Sequence, residues 1–136
     1  MPRRILIVDD EPDVVHIIQT ILKSKGYDVT GVTDGKTGLE LAQRDKPDLI
    51  LCDLMMPGMS GLEFIKQVRN HPKLRTTPII ALSALGTSSG KSEEFWRRGL
   101  NADDFISKPF DPLDLLGRVE FLFRRQNYLS TQDETS

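Results

Sequence analysis

The residues whose side chains are best suited to catalysis or ligand binding follow short apolar runs, and most of them are acids. They are Asp9, Asp10, Glu11, Asp53, Ser83 and Lys108. Clustered carboxylates repel and raise one another's pKa, so a positive charge is expected beside them. Lys108 would supply one such charge, and a divalent cation with oxygen ligands would supply a second. Mg²⁺ suits this set, because it binds through one or two carboxylates, several waters and a phosphoryl oxygen.

Short apolar runs alternate along the chain with amphipathic segments, which indicates repeated strand–helix units. Buried strands are predicted at residues 5–8, 49–52 and 78–82, with weaker strand candidates at 27–33 and 104–107. Apolar residues at helical spacing predict helices over 12–25, from Asp34 to about Asp45, from Gly61 onwards, over 92–100 and from about Asp111. These five βα units, (βα)5, predict an α/β fold with a doubly wound parallel sheet and right-handed crossovers.

Such a sheet would bring the polar residues together. Ligands of open α/β sheets bind outside the carboxyl ends of the strands, where the strand order reverses. Asp9 and Asp10 follow the first predicted strand, and Asp53 ends the third. Ser83 and Lys108 follow the fourth and fifth predicted strands. We therefore expect three carboxylates, one hydroxyl and one ammonium group at one edge of the sheet.

Length and composition limit what kind of protein this chain can be. It has 136 residues with 18 Lys+Arg and 20 Asp+Glu, for a formal charge of −2. This size suits one domain, predicted at 3–125, followed by a polar tail at 126–136 that we expect to fray. The near-zero charge argues against a basic nucleic-acid clamp. The apolar run near the N-terminus is too short for a signal peptide or a membrane span, so a cytoplasmic protein is expected.

Four motifs in this order resemble the receiver domain of two-component response regulators, the CheY-like family. They are Ile5–Pro12 (ILIVDDEP), Asp53–Gly61 (DLMMPGMSG), Ala81–Ala84 (ALSA) and Asp103–Phe110 (DDFISKPF). The resemblance spans residues 3 to about 125 and implies the flavodoxin-like strand order 2-1-3-4-5. It also implies that the chain takes part in phosphorelay signal transduction.

The resemblance implies a role for each matching residue at the strand ends. Asp53 matches the phosphoacceptor, which takes a phosphoryl group from the phosphohistidine of a sensor kinase. Lys108 matches the lysine that pairs with this aspartate and then with the phosphoryl oxygens, and the bond from Lys108 to Pro109 matches a cis peptide. Ser83 matches the switch hydroxyl that turns toward the phosphoryl group, and Phe105 matches the aromatic that changes rotamer with it.

The metal site of the family also maps onto this sequence. The resemblance implies Mg²⁺ as the cofactor, with Mn²⁺ as a substitute, bound by Asp10, Asp53 and the backbone carbonyl of Met55. Asp9 matches the acid that reaches the metal through water. Phosphoryl transfer mainly requires a protein to position groups and to neutralise charge, which a carboxylate nucleophile, Mg²⁺ and a lysine can do. The acyl phosphate product is open to hydrolysis, so the signal would reset.

We therefore predict a phosphorylation switch that promotes only its own phosphorylation and dephosphorylation. The expected partners are a sensor histidine kinase or phosphotransfer protein and a downstream protein, with no direct nucleic-acid or membrane contact. We expect a monomer or a weak, phosphorylation-dependent dimer. Two alternatives keep the same chemistry. One is a phosphorelay intermediate, and the other is a receiver excised from a hybrid kinase, against which the starting Met and the polar tail argue.

Two further alternatives use different chemistry. A Mg²⁺-dependent phosphohydrolase would need a second acid two residues after its nucleophile, where Met55 stands. A nucleotide-binding P-loop needs four residues between its glycines, whereas Gly86 and Gly90 are separated by three. Residues 85–91 instead extend a loop relative to the family. Asn101 stands where the family usually has Gly, and Asn tolerates the left-handed backbone conformation.

Overall fold

Five parallel strands form one sheet in residues 2–84 and 101–135, which are the residues that the structure, a computed structural model, describes. The strands are β1 (Arg4–Val8), β2 (Asp28–Val32), β3 (Leu49–Asp53), β4 (Ile79–Ser83) and β5 (Asp104–Ser107). Their order is β2-β1-β3-β4-β5, and every neighbouring pair is parallel. The predicted α/β fold and strand order 2-1-3-4-5 are confirmed.

Four helices accompany the strands in the described ranges. They are α1 (Pro12–Lys23), α2 (Gly35–Asp45), α3 (Gly61–Asn70) and α4 (Pro112–Thr135). Pro12 lies in the first turn of α1, where its missing N–H costs no hydrogen bond. Asp34 caps α2 by accepting a hydrogen bond from the backbone N–H of Thr37 at 2.8 Å. Ser60 caps α3 in the same way through the backbone N–H of Glu63 at 3.2 Å.

Two features predicted from the sequence lie outside the described residues. They are the helix at 92–100 and the extended loop at 85–91 with its P-loop-like spacing. Where the described chain resumes, Asn101 has a φ of 56°, the left-handed conformation that we expected Asn to tolerate. The peptide bond from Lys108 to Pro109 is cis, as the resemblance implied.

The sheet has a hydrophobic cluster on each of its faces. One cluster joins the sheet to α1 and α4 through buried residues such as Ile18 and Val119. The other joins it to α2 and α3 through residues such as Phe64 and Val68. Every residue of β3 and β4 is buried, as expected for parallel strands covered on both faces. The backbone that carries the polar residues at the ends of these strands is therefore packed within the core.

The last helix is longer than the sequence indicated. We expected a polar tail from Gln126 onwards, and α4 continues along it to Thr135, while fraying of this tail stays a prediction. Arg3 supports this continuation, because its guanidinium donates hydrogen bonds to the side chains of Gln126 at 3.0 Å and of Asn127. These partners lie more than a hundred positions away from Arg3 in the sequence, so no local pattern reveals the contact.

Gly61 lets the start of α3 approach the end of β3 more closely than any other residue could. A Cβ atom at this position would lie 2.0 Å from the carbonyl oxygen of Asp53 and 2.6 Å from the Cα of Leu54. Both neighbours are backbone atoms that no side-chain rotation can move aside. Gly61 also donates its backbone N–H to the carbonyl oxygen of Leu54 at 3.0 Å. The backbone position of Asp53 therefore depends on the missing side chain of Gly61.

We predict that Gly61→Ala lowers the free energy of unfolding by about 1–3 kcal/mol, the usual cost of overpacking a filled site. Chemical denaturation would measure this loss. Gly117→Ala is the matched control, because nothing lies within 4 Å of a Cβ at this exposed position in α4. Alanine should stabilise the helix there by about 0.5–1 kcal/mol. Equal effects at the two glycines would contradict the close approach at Gly61.

Candidate functional site

Polar side chains from three strands meet at the carboxyl edge of the sheet. Asp9, Asp53 and Lys108 each stand two positions beyond a strand residue that packs toward α1 and α4. Because side chains alternate along a strand, all three face the same side of the sheet. β1 and β3 are neighbours, which brings Asp9 beside Asp53. Lys108 reaches both carboxylates from the end of β5.

The two carboxylates at the centre of the site are removed from water. Asp9 is fully buried, and Asp53 is only 4% exposed. Asp9 Oδ1 accepts a hydrogen bond from the backbone N–H of Glu11 at 2.9 Å. Asp53 Oδ1 accepts a longer one from the backbone N–H of Met55 at 3.4 Å. The backbone that follows β1 and β3 thus orients both carboxylates, while the Met55 side chain is exposed.

Lys108 carries the positive charge that the sequence predicted for this edge. Its Nζ lies 2.8 Å from Asp9 Oδ2, 3.2 Å from Glu11 Oε1 and 3.4 Å from Asp53 Oδ2. The pairing of Lys108 with Asp53 was predicted. The two shorter contacts were not, because they depend on rotamers that no sequence pattern reports.

The carboxylates form a group whose chemistry suits a hard cation. One oxygen from each of Asp9, Asp10, Glu11 and Asp53 lies within 4.8 Å of the others. Four negative charges face one ammonium group, so the site keeps a net negative charge when all its acids are ionised. Oxygen is the ligand atom that Mg²⁺ and similar divalent ions prefer. The residues present therefore fit a divalent metal, and Asp10 and Asp53 were both predicted among its ligands.

Burial changes the acid–base properties of the central pair. Loss of solvation raises the pKa of Asp53 from 3.8 to about 6, and the charge of Asp9 adds to this rise, while Lys108 opposes it. Burial alone would lower the pKa of Lys108, but its hydrogen bond and attraction to Asp9, followed by the charge of Asp53, raise it. Lys108 is therefore a permanent cation at neutral pH, whereas the Asp53 carboxylate carries a charge that the fold tolerates poorly.

The two residues predicted to act as the switch lie beside this edge on the opposite face of the sheet. Ser83 ends β4 and is fully buried, and its carbonyl oxygen accepts the backbone N–H of Lys108 at 2.8 Å. Phe105 on β5 is fully buried and pairs with Ala81 of β4. Because Ala81 and Ser83 are two positions apart, Ser83 and Phe105 face the same layer. The predicted switch pair is thus brought together, and a change of conformation stays a prediction.

The match to known proteins decides the family. A family model described as the response regulator receiver domain matches residues 5–120. The chain belongs to the response regulator receiver domain family. Receiver domains of this kind are phosphorylation switches of two-component systems. The resemblance stated from the four sequence motifs is confirmed.

Two relatives illustrate how this receiver domain compares with longer proteins. The alkaline phosphatase synthesis transcriptional regulatory protein PhoP of Bacillus subtilis (strain 168) is 38% identical over 137 residues, which cover 98% of this chain and 54% of that protein. The response regulator ArlR of Staphylococcus saprophyticus is 43% identical over 125 residues, which cover 90% and 53%. The receiver domain therefore spans about half the length of the curated relatives that it matches.

A solved structure supports the assignment of the acidic edge as a metal site. The receiver domain of the sensor histidine kinase PA1611 from Pseudomonas aeruginosa PAO1 is 30% identical with a TM-score of 0.79, and the match covers 88% of this chain and 96% of that chain. That structure is described as having a magnesium ion coordinated in the active site cleft. The group of carboxylates in this chain is likewise consistent with a divalent metal.

One feature near the receiver domain's acidic edge was not predicted from the sequence. An open groove of about 450 Å³ runs beside Lys108 and is lined mainly by apolar or proline residues. Its lining residues are Glu11, Val14, Ile17, Ala84, Lys108, Pro109, Phe110 and Pro112. Ile17 is one of the apolar residues whose helical spacing predicts α1, yet its side chain is 49% exposed and lines the groove. None of the helices in the described ranges is long and apolar enough to cross a bilayer.

We predict that Asp53→Asn stabilises the receiver domain at pH 7 without divalent metal, by about 1–3 kcal/mol at 1.36 kcal/mol for each pKa unit. The pKa of Asp53 is higher in the folded chain, so the folded state binds this proton more tightly than the unfolded state does. Ionised Asp53 therefore does not destabilise the natural sequence below about pH 4, and its full destabilising effect is reached above about pH 6. Denaturation of both proteins across this range would measure it, and a difference that grows toward low pH would contradict the raised pKa.

A second prediction concerns the metal. Because the carboxylates repel one another, Mg²⁺ should stabilise the folded chain. If the dissociation constant is about 1 mM, then about 10 mM Mg²⁺ adds about 1.4 kcal/mol. Thermal unfolding in MgCl₂, compared with NaCl at equal ionic strength, would measure the gain. Asp10→Asn should remove most of it, while Asp28→Asn at the opposite end of the sheet should keep it. An unchanged melting temperature for the natural sequence would contradict the metal site.

Proposed function

We propose that this receiver domain accepts a phosphoryl group on Asp53 and signals through the change that follows. One observation carries the proposal above all others. Asp53 is a nearly fully buried carboxylate whose Oδ2 lies 3.4 Å from the ammonium group of Lys108, in a group of acids that a divalent cation fits. Packing alone does not favour such an arrangement, because buried charges are costly unless they are paired.

The proposed reaction transfers a phosphoryl group and leaves no other product on the chain. A carboxylate oxygen of Asp53 attacks the phosphorus atom of a phosphohistidine, the P–N bond breaks, and the histidine keeps its nitrogen lone pair. The transition state is loose, so the chain mainly has to position the phosphoryl group and offset its charge. The Lys108 ammonium group then moves toward the transferred phosphoryl group and pairs with one of its oxygens. Hydrolysis of the acyl phosphate then restores Asp53.

Mg²⁺ is the proposed cofactor, with Mn²⁺ as a substitute. Asp10, Asp53 and the backbone carbonyl of Met55 would hold it, and Asp9 would contact it through water. When bound, the ion offsets charge on the phosphoryl oxygens. The donor set supports this assignment, because the carboxylates are close enough to share one cation and each offers oxygen.

Ser83 and Phe105 are the proposed route from the site to the rest of the surface. The hydroxyl of Ser83 would donate a charge-assisted hydrogen bond to a phosphoryl oxygen, and Phe105 would change rotamer with it. Their positions support the coupling, because both are buried on the same side of neighbouring strands. The Ser83 carbonyl also accepts the backbone N–H of Lys108, so the two strands that carry these groups are bonded directly at the site.

The proposed phosphodonor is a sensor histidine kinase or a phosphotransfer protein. The apolar groove beside Lys108 supports a protein donor, because it offers a docking surface next to the acceptor. The signal would pass to a downstream protein, with no membrane contact and no nucleic-acid contact by the receiver domain itself. We propose a cytoplasmic domain covering 3–125, a monomer or a weak phosphorylation-dependent dimer, which catalyses only its own phosphorylation and dephosphorylation.

A receiver from a hybrid kinase is the second candidate. Two similar structures are receiver domains of histidine kinases, from Syntrophus aciditrophicus at 33% identity and from Pseudomonas aeruginosa at 30%. The site would act in the same way in that setting, with a phosphotransfer protein as its partner. A phosphohydrolase is disfavoured by Met55, which lies where such an enzyme needs an acid and has an exposed side chain.

Acetyl phosphate with Mg²⁺ should add one phosphoryl group per chain, because a small donor needs no docking surface. Intact-mass spectrometry would measure the label, and hydroxylamine should remove it, as expected for an acyl phosphate. Asp53→Asn should abolish labelling. Asp28→Asn is the matched control and should label normally, because Asp28 begins β2 at the other end of the sheet. Label that persists in Asp53→Asn would contradict the proposed acceptor.

A further inference from the structure

Lys108 is held closer to two other acids than to the proposed acceptor. Its Nζ lies 2.8 Å from Asp9 Oδ2 and 3.2 Å from Glu11 Oε1, but 3.4 Å from Asp53 Oδ2. Asp9 and Asp53 are buried beneath the ammonium group, whereas the Glu11 side chain is 60% exposed. The Lys108 ammonium group therefore lies between the buried carboxylates of Asp9 and Asp53 and the exposed carboxylate of Glu11.

The backbone of Glu11 is fixed, so its carboxylate has a defined starting point. Its N–H donates to Asp9 Oδ1 at 2.9 Å. Its carbonyl oxygen accepts the backbone N–H groups of Val14 at 3.1 Å and Val15 at 3.2 Å. Glu11 is the residue before α1, yet its side chain makes no capping hydrogen bond to the backbone of that helix. Within the described residues, the Glu11 carboxylate instead accepts a hydrogen bond from Lys108 Nζ at 3.2 Å.

We propose that Glu11 is a positioning residue for the acceptor reaction. Building on the proposed function, it shares the Lys108 ammonium with Asp9 and Asp53 in the resting state, and Lys108 leaves it when a phosphoryl group arrives. The exchange moves one ion pair and makes or breaks no covalent bond. Loss of the Glu11 charge therefore frees Lys108 to move toward the phosphoryl oxygens earlier in the reaction.

The expected effect follows from the exposure of the pair. Exposed ion pairs contribute little and are screened by salt, so removing this one should raise the transfer rate by about two- to fivefold at low ionic strength. The effect should fade at high salt. A role confined to the stability of α1 would leave the rate at saturating donor unchanged.

Glu11→Gln tests the proposal, with acetyl phosphate as donor and Mg²⁺ present. It keeps the shape of the side chain and removes its charge. Asp13→Asn is the matched control, because it removes one negative charge from the exposed first turn of α1. We expect a higher maximal rate in Glu11→Gln and an unchanged maximal rate in Asp13→Asn. An unchanged or lower maximal rate in Glu11→Gln overturns the proposal.

A double-mutant cycle identifies Lys108 as the group through which Glu11 acts. In a Lys108→Met background, Glu11→Gln should leave the rate of labelling unchanged. The same increase with and without Lys108 overturns the proposal, because Glu11 would then act through its general charge. Label retained in Asp53→Asn would refute the proposed acceptor. Label at Asp53 without coupling between positions 11 and 108 would refute only the role of Glu11.

Discussion

The burial of Asp53 beside Asp9 is the constraint on which the rest of the site depends. Two carboxylates that are almost wholly removed from water repel each other, and burial alone already raises the pKa of Asp53. The fold meets this cost with the Lys108 ammonium, 2.8 Å from one carboxylate and 3.4 Å from the other. Because one ammonium group faces several carboxylates, the site keeps a net negative charge. A divalent cation would offset this remaining negative charge and so reduce the repulsion that an anionic phosphoryl group meets at the site.

The fold supplies the rigidity that such a site needs. β3 and β4 are buried along their whole length, so their ends are packed as part of the core. Gly61 lets α3 start against the backbone of Asp53. Stability and the proposed chemistry compete at Asp53, because the ionised carboxylate that the proposed reaction needs as its nucleophile also destabilises the folded chain.

The sequence predicted the fold and most of the site, because strand residues and strand-end residues are local features. Apolar runs located five strands, and the polar residues after them fell at one edge through the topology of a parallel sheet. The contacts of Lys108 with Asp9 and Glu11 depend on rotamers, so no pattern reported them. The contacts of Arg3 with Gln126 and Asn127 were not visible in the sequence, because they join opposite ends of the chain. The groove beside Lys108 arises from three separate segments.

The central claim is that the phosphoryl group resides on Asp53, and direct chemical mapping is its sharpest test. The full chain is labelled with acetyl phosphate and Mg²⁺, reduced with borohydride and digested, and its peptides are sequenced by mass spectrometry. Borohydride converts an aspartyl phosphate to homoserine. The account predicts homoserine at position 53 and aspartate unchanged at positions 9 and 10. Homoserine at position 9 or 10, with aspartate intact at position 53, would contradict it.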